Sequence, residues 1–327
     1  MNKIIIAIIM VGVALATSLL FTYEETIPLK PLSIAVSRTP LSAPVYIAEE
    51  KGYFEDAGIL VTLDEVVGGY RSFQAVKKGQ SNLGTSSCSV MMFTGMGGDD
   101  YVILSSFVQS DNDLKLVSRS DAEIIRMEDL ANKKIGVVKT TASEYFLSIL
   151  LGIANIDRQS VQLIELKPEE MPDALAEGRV DAISVWEPYG FYSVQKMGKN
   201  ARVLETKNLH TLSFNLATTR DYADQHQAEL ELVLKALYRA TEFIAESPEE
   251  ARTIIRNRLN KQQDFIDWIW PDYLFKLALN HSLVLSLENQ ARWAIDNQLT
   301  DKQTIPMFHN NIDKRALTAV LPEAVSL

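Results

Sequence analysis

Between residues 129 and 189, short apolar runs alternate with stretches whose apolar side chains return every three or four positions, which predicts strand–helix–strand–helix–strand. The strands fall at residues 134–138, 162–166 and 181–186; one helix opens at Thr141 to Ser143 and a second runs over 169–177 and stops at Gly178. The N-terminal part repeats this logic, with strands over 32–36 and 60–66, a helix over 43–54, a helix opening at Tyr70 and a short strand before Thr85. Residues 101–107 and 115–119 read as further strands, and 209–227 begins strand-like and turns polar. Everything beyond His226 reads as helical without a strand pattern; Leu230, Val233, Leu234, Leu237, Ala240 and Ile244 form one core-facing stripe. Trp268, Trp270, Tyr273 and Phe275 are read as aromatics packing that helical layer.

This alternation puts the polar loops at the carboxyl ends of strands, where open α/β sheets bind ligands. Ser37 follows the first strand, Gly68 and Gly69 the second, and Thr85 and Ser86 the third. Thr140, Thr141 and Ser143 precede a helix whose first N–H groups have no intrahelical partner, so their hydroxyls either cap it or join its amides around an anion. Gly68-Gly69 is either a simple turn or a ligand contact. Trp186-Glu187 closes its strand as an aromatic platform beside a carboxylate, which Pro188 keeps from folding back into a helix.

Composition narrows the class. The chain has 327 residues, 47% hydrophobic and 23% charged, which suits a globular protein of two domains. A net charge of −10 without a Lys/Arg-rich run argues against nucleic acid as a partner. Lys3 followed by an apolar run to Phe21 reads as an export signal, residues 1–22 being a signal peptide cleaved near Ala14-Leu15-Ala16 or an uncleaved anchor. No cysteine follows that run for lipid attachment, so a periplasmic location is expected. The lone Cys88 is read as a buried small hydrophobe, and the four scattered histidines argue against a metal site.

The ordered motifs resemble the substrate-binding proteins of ABC importers for alkanesulfonates, taurine, nitrate and thiamine-precursor pyrimidines. The resemblance rests on Lys51-Gly52-Tyr53-Phe54 with Gly58, the 75–79 helix end, Asp129-Leu130 before Lys133-Lys134-Ile135-Gly136-Val137, Ala174-Leu175 with Gly178 and Asp181-Ala182, and above all Trp186-Glu187-Pro188. At Gln80-Ser81-Asn82 the chain departs from the acidic pattern usual there, which places the Thr85 loop differently. The resemblance implies an α/β two-lobe periplasmic-binding-protein fold of type II, with two crossover strands and a helical C-terminal part. Lobe one is expected over 30–118 plus 216–327 and lobe two over 119–215.

The resemblance also implies that Ser37, Gly68, Gly69, Thr85, Ser86, Thr140, Thr141, Ser143, Trp186 and Glu187 contact a ligand trapped between the lobes, with Arg38 and Arg71 the nearest basic groups. The expected function is capture of a small anionic or zwitterionic solute, sulfonate- or taurine-like, for an ABC transporter permease, with Glu187 pairing an amine. The alternatives are a pyrimidine or other heteroaromatic thiamine precursor, and a membrane-tethered ligand sensor. Membrane contact is expected only through the permease or an uncleaved N-terminal segment. No enzyme activity and no cofactor are expected, since pyrimidine synthases of similar fold carry a cysteine-rich motif and clustered histidines.

Overall fold

The computed structural model describes residues 29–327; the 1–22 export segment lies outside the described residues. Twelve strands are described: β1 (Lys30–Ser37), β2 (Ile59–Val66), β3 (Leu83–Ser87), β4 (Tyr101–Ser110), β5 (Leu114–Arg119), β6 (Lys134–Val137), β7 (Gln162–Glu165), β8 (Ala182–Trp186), β9 (Ala201–Val203), β10 (Leu212–Thr219), β11 (Tyr273–Asn280) and β12 (Val325–Ser326). They form a seven-stranded sheet in the order β12-β11-β4-β10-β3-β1-β2 and a five-stranded sheet in the order β7-β6-β8-β5-β9. The chain passes from one sheet to the other between β4 and β5 and returns between β9 and β10, giving two lobes joined by two crossovers.

Sheet membership corrects the expected lobe boundaries. β5 pairs with β8 and β9, so residues 114–119 belong to lobe two, and β10 pairs with β3 and β4, so residues 212–219 belong to lobe one. Apolar patterning marks these strands but does not say which sheet they join. The expectation of a purely helical C-terminal part is corrected too. β11 runs antiparallel along β4, and its alternating half-buried and exposed residues had been hidden among aromatic positions.

The registers fix which strand ends meet. In lobe one β1 is parallel to β2 and β3, whereas β10 runs antiparallel to β3 and β4, so the start of β10 lies beside the carboxyl ends of β3 and β4. In lobe two the carboxyl end of β8 lies opposite the start of β5, through Trp186 and Leu114. Both crossovers therefore leave from the carboxyl edges of the sheets, and these two edges face each other.

Strand alternation sorts the cores. Ile183 and Val185 point into a cluster with Val117, Met171, Leu175 and Val180 on one face of the lobe-two sheet. Ala182 and Ser184, one residue out of phase, face the helix Ala142–Ile153, whose Phe146, Leu147 and Leu150 join the larger core shared with lobe one. Among the described residues no helix is long and apolar enough to cross a membrane.

Candidate functional site: the cleft between the lobes

On the lobe-one edge several predicted side chains brace the protein itself. Thr85 Oγ1 accepts the Ser37 amide at 2.9 Å, Ser42 donates to the Ser37 carbonyl at 2.9 Å, and Ser72 accepts the Thr85 amide at 2.9 Å while donating to the Ala35 carbonyl at 2.7 Å. Thr85 thus ties β1 to β3. Ser86, one residue on, faces the other side, is fully buried, and its hydroxyl has no hydrogen-bond partner among the described residues. Gly68 sits at φ 84°, and the following Gly69 opens the helix Gly69–Lys77 directly against β3: a Cβ at Gly69 would lie 2.8 Å from Ser86 Oγ and 3.0 Å from its Cα. Glycine is required there for the loop to close onto Ser86.

The same edge holds more unpartnered groups. Asn215 is the direct cross-strand partner of Ser86; its amide nitrogen reaches the Ser86 carbonyl at 3.2 Å and leaves Oδ1 without a partner. Ser213, two residues earlier on the same face, and Ser89, in the first turn of the helix Cys88–Met96, also carry buried hydroxyls without partners. Asn215, Ser213 and Ser89 were not singled out in the sequence. The polar Asn215 inside an apolar strand was the available signal, since a fully buried amide needs partners.

In lobe two the hydroxyls cap and anchor. Thr141 Oγ1 accepts the Ser143 amide at 3.2 Å and donates to the Val138 carbonyl at 2.6 Å. Ser143 Oγ donates to the Ser184 carbonyl at 2.6 Å and accepts the Val138 amide at 3.0 Å, while Ser184 Oγ returns a bond to the Ser143 carbonyl at 2.8 Å. Thr140, exposed and at φ 56°, donates to the Lys139 carbonyl, and its amide goes to Glu144. Of the alternatives for these residues, capping describes the bonds seen.

The next turn of this helix reaches lobe one. The Tyr145 ring meets Trp293 edge-on at 5.2 Å and His210, from the return crossover, at 5.4 Å. Its phenol is raised to about 12 by burial and by the neighbouring Cys88 thiol. Burial depresses His210 to about 4, so it is neutral at pH 7, and its Nε2, like Trp293 Nε1, has no partner among the described residues. Cys88 is buried as expected, and Gln290 donates to its sulfur at 3.3 Å. Neutral polar atoms of lobe one and of the return crossover therefore lie beside aromatic rings from both lobes. No group of residues suited to hold a metal ion occurs among the described residues.

Trp186 and Glu187 lie in a different environment. Trp186, half-buried, packs edge-on against Tyr189 at 6.5 Å. Glu187 is buried and both of its oxygens take protein donors: Trp268 Nε1 at 2.6 Å on Oε1 and the Phe191 amide at 2.9 Å on Oε2. Burial raises it to about 7 against the pull of those donors and of Lys115. Among the described residues Glu187 makes no hydrogen bond to the serine-rich edge. Trp268 and Tyr273, read as packing residues, carry polar contacts to Glu187 and Asp113. Arg38 is paired with Glu65 at 3.2 Å, and Arg71 is exposed.

Two lobes with facing carboxyl edges and a cleft lined from both sides define the periplasmic-binding-protein class of fold. Residues 39–251 match the NMT1/THI5-like family model, and the chain belongs to that family. It is 29% identical over 233 residues to a protein named as an aliphatic sulfonates-binding protein of Bacillus subtilis (strain 168), covering 68% of each chain. Its fold resembles the periplasmic aliphatic sulphonate binding protein SsuA of Escherichia coli (20% identity, TM-score 0.73, covering 84% of this chain and 95% of that one). It also resembles the alkanesulfonate-binding protein SsuA of Xanthomonas axonopodis pv. citri bound to MOPS (17% identity, TM-score 0.73, covering 88% and 99%).

Proposed function

We propose that this chain captures a small organic oxyanion of the sulfonate type between its lobes, in the periplasm, and delivers it to the permease of an ABC importer. The observation that carries this reading is a set of buried polar atoms with no partner among the described residues that can donate to an oxyanion: Ser86 Oγ, Ser89 Oγ, Ser213 Oγ, His210 Nε2 and Trp293 Nε1. Each such atom costs about 1–3 kcal/mol while it lacks a partner, so a ligand that bonds several of them gains that much in return. A sulfonate offers acceptors only. The serine hydroxyls, the Trp293 indole and one tautomer of neutral His210 supply donors.

In this reading Ser86 and the Gly68-Gly69 turn touch the ligand, while Ser37, Thr85, Thr141 and Ser143 hold the shell in place. Tyr145 and Trp293 enclose the organic part. A fold alone does not exclude chemistry, but the one thiol is buried and bonded to Gln290, so binding and release without turnover is the reading proposed. The test is melting temperature against taurine, alkyl and aryl sulfonates, nitrate and pyrimidines, with Ser86→Ala and Ser213→Ala alongside. Ligand at about 100 times its Kd stabilises by roughly 2.7 kcal/mol. Sulfonates are expected to raise the midpoint of the parent protein and less so of either variant; a shift with pyrimidines alone, or loss of the compound to turnover, rejects the reading.

A further inference from the structure

Helix Tyr189–Met197 of lobe two packs against helix Gln263–Ile269 of lobe one. Phe191 packs against Phe265 at 5.3 Å and Trp268 at 6.0 Å, Lys261 donates to the Tyr192 hydroxyl at 3.0 Å, and Gln195 to Gln262 at 3.0 Å. Beneath this layer lies a buried polar network spanning both lobes and both crossovers. Trp268 donates to Glu187, Tyr273 donates to Asp113 at 2.6 Å, and Asp272 takes Lys115 at 3.2 Å, Lys207 at 3.1 Å and Asn112 at 2.8 Å.

The charges in this network do not balance. Among the described residues Glu187, Asp113 and Asp272 face a single buried cation, Lys115, and both Lys115 and the more exposed Lys207 pair with Asp272. Lys115 also donates to the Asn112 carbonyl and stands 5.6 Å from the Trp268 ring. Glu187 and Asp113 are left with neutral donors only. A buried carboxyl without a cation is cheaper to hold protonated, whereas separating the lobes takes the Trp268 indole away and returns Glu187 toward water.

We propose that Glu187 is a positioning residue rather than a ligand group: with Trp268 it forms an interlobe strap that favours the closed cleft when its carboxyl holds a proton. The proposal rests on the reading above only in taking lobe closure as the capture step. Burial places Glu187 at about 7 and Asp113 at about 6, both raised. Raised values mean that the closed form is favoured in acid, fully so below the ordinary carboxylate range, and that this advantage is lost as pH rises through about 7. With an open-form value of about 4.5, Glu187 alone lowers the closing equilibrium roughly 70-fold between pH 5 and 8. Asp113 adds in the same direction at lower pH.

The experiment needs no ligand, so its failure is separate from failure of the sulfonate panel. The indole N–H resonances of the full chain are followed by NMR from pH 4 to 8.5, with Trp268→Phe assigning that signal, and the radius of gyration is followed by X-ray scattering over the same range. The Trp268 resonance is expected to titrate with a midpoint near 7, and the protein to expand above it. Glu187→Gln keeps an acceptor for Trp268; it is expected to lose that midpoint and to remain compact at pH 8. Trp268→Phe keeps the ring packing and is expected to expand at lower pH than the parent. A Trp268 midpoint near 4.5, no midpoint, or the same expansion profile in the parent and Glu187→Gln each overturns the proposal.

Discussion

Replacing Ser143 with alanine separates the two roles that a helix-start hydroxyl can play. The hydroxyl lies in a fully buried residue and makes two bonds, to the Ser184 carbonyl at 2.6 Å and from the Val138 amide at 3.0 Å, joining the helix Ala142–Ile153 to β8 and to the end of β6. Alanine leaves both backbone groups without that partner, at about 1–3 kcal/mol each, and returns roughly 0.5 kcal/mol through its better helix propensity. The Ser184 hydroxyl keeps its own bond to the backbone of residue 143 and limits the movement. The expected net loss is about 2–4 kcal/mol. Urea unfolding followed by circular dichroism reads this as a midpoint lower by on the order of 1 M at unchanged slope, for a slope of about 3 kcal/mol/M. Thr141→Ala, which removes the cap bond to the Ser143 amide, is expected to cost about 1 kcal/mol. Stability of Ser143→Ala within about 0.5 kcal/mol of the parent, together with lost sulfonate stabilisation, refutes the reasoning and makes the hydroxyl a ligand group.

Ser86→Ala removes a hydroxyl that bonds nothing among the described residues, so its folding stability is expected to stay within about 0.5 kcal/mol of the parent while its calorimetric affinity for sulfonate falls about tenfold. Gly84→Ala puts a Cβ 2.8 Å from Val76 Cγ2 and 3.2 Å from the Ser72 carbonyl, which pushes the helix Gly69–Lys77 off β3. A thermal or urea scan is expected to record a loss of about 1–3 kcal/mol. The pH profile of melting temperature carries opposed contributions. Asp113 and Glu187, raised to about 6 and about 7, contribute stability below the ordinary carboxylate range that is lost as pH rises through those values. His210, depressed to about 4, contributes stability above its ordinary 6.5 that is lost as pH falls toward 4. The windows overlap between about pH 4 and 7, where the two carboxyls outweigh the histidine, so the contribution of these groups is expected to fall as pH rises from about 4.5 to 7; His210→Gln is expected to steepen that fall below about pH 6.5, and an unchanged slope there removes His210 as a contributor.

Local pattern determined much of this protein. The alternation of apolar runs and helical stripes placed β1, β2, β3, β6, β7 and β8 and put Ser37, Gly69, Ser86, Ser143 and Trp186 at strand ends or helix starts, because side-chain period and terminal chemistry are properties of neighbouring residues. The family, too, was legible in short motifs whose order follows the βα units. Pairing was not: that β5 joins lobe two, that β10 joins lobe one, and that the segment Tyr273–Asn280 is a strand depend on partners distant in the chain. The fate of each polar group was decided at the same level. Thr85 and Ser86 are adjacent hydroxyl residues, yet strand alternation turns one into a brace for Ser37 and leaves the other unpartnered beside Asn215. Glu187, placed by sequence as a ligand carboxylate, meets the indole of Trp268 because the fold folds residues 187 and 268 together across the lobes. Hydrogen bonding and desolvation act over a few ångströms in space, so only the tertiary structure could settle which of the predicted groups were already satisfied.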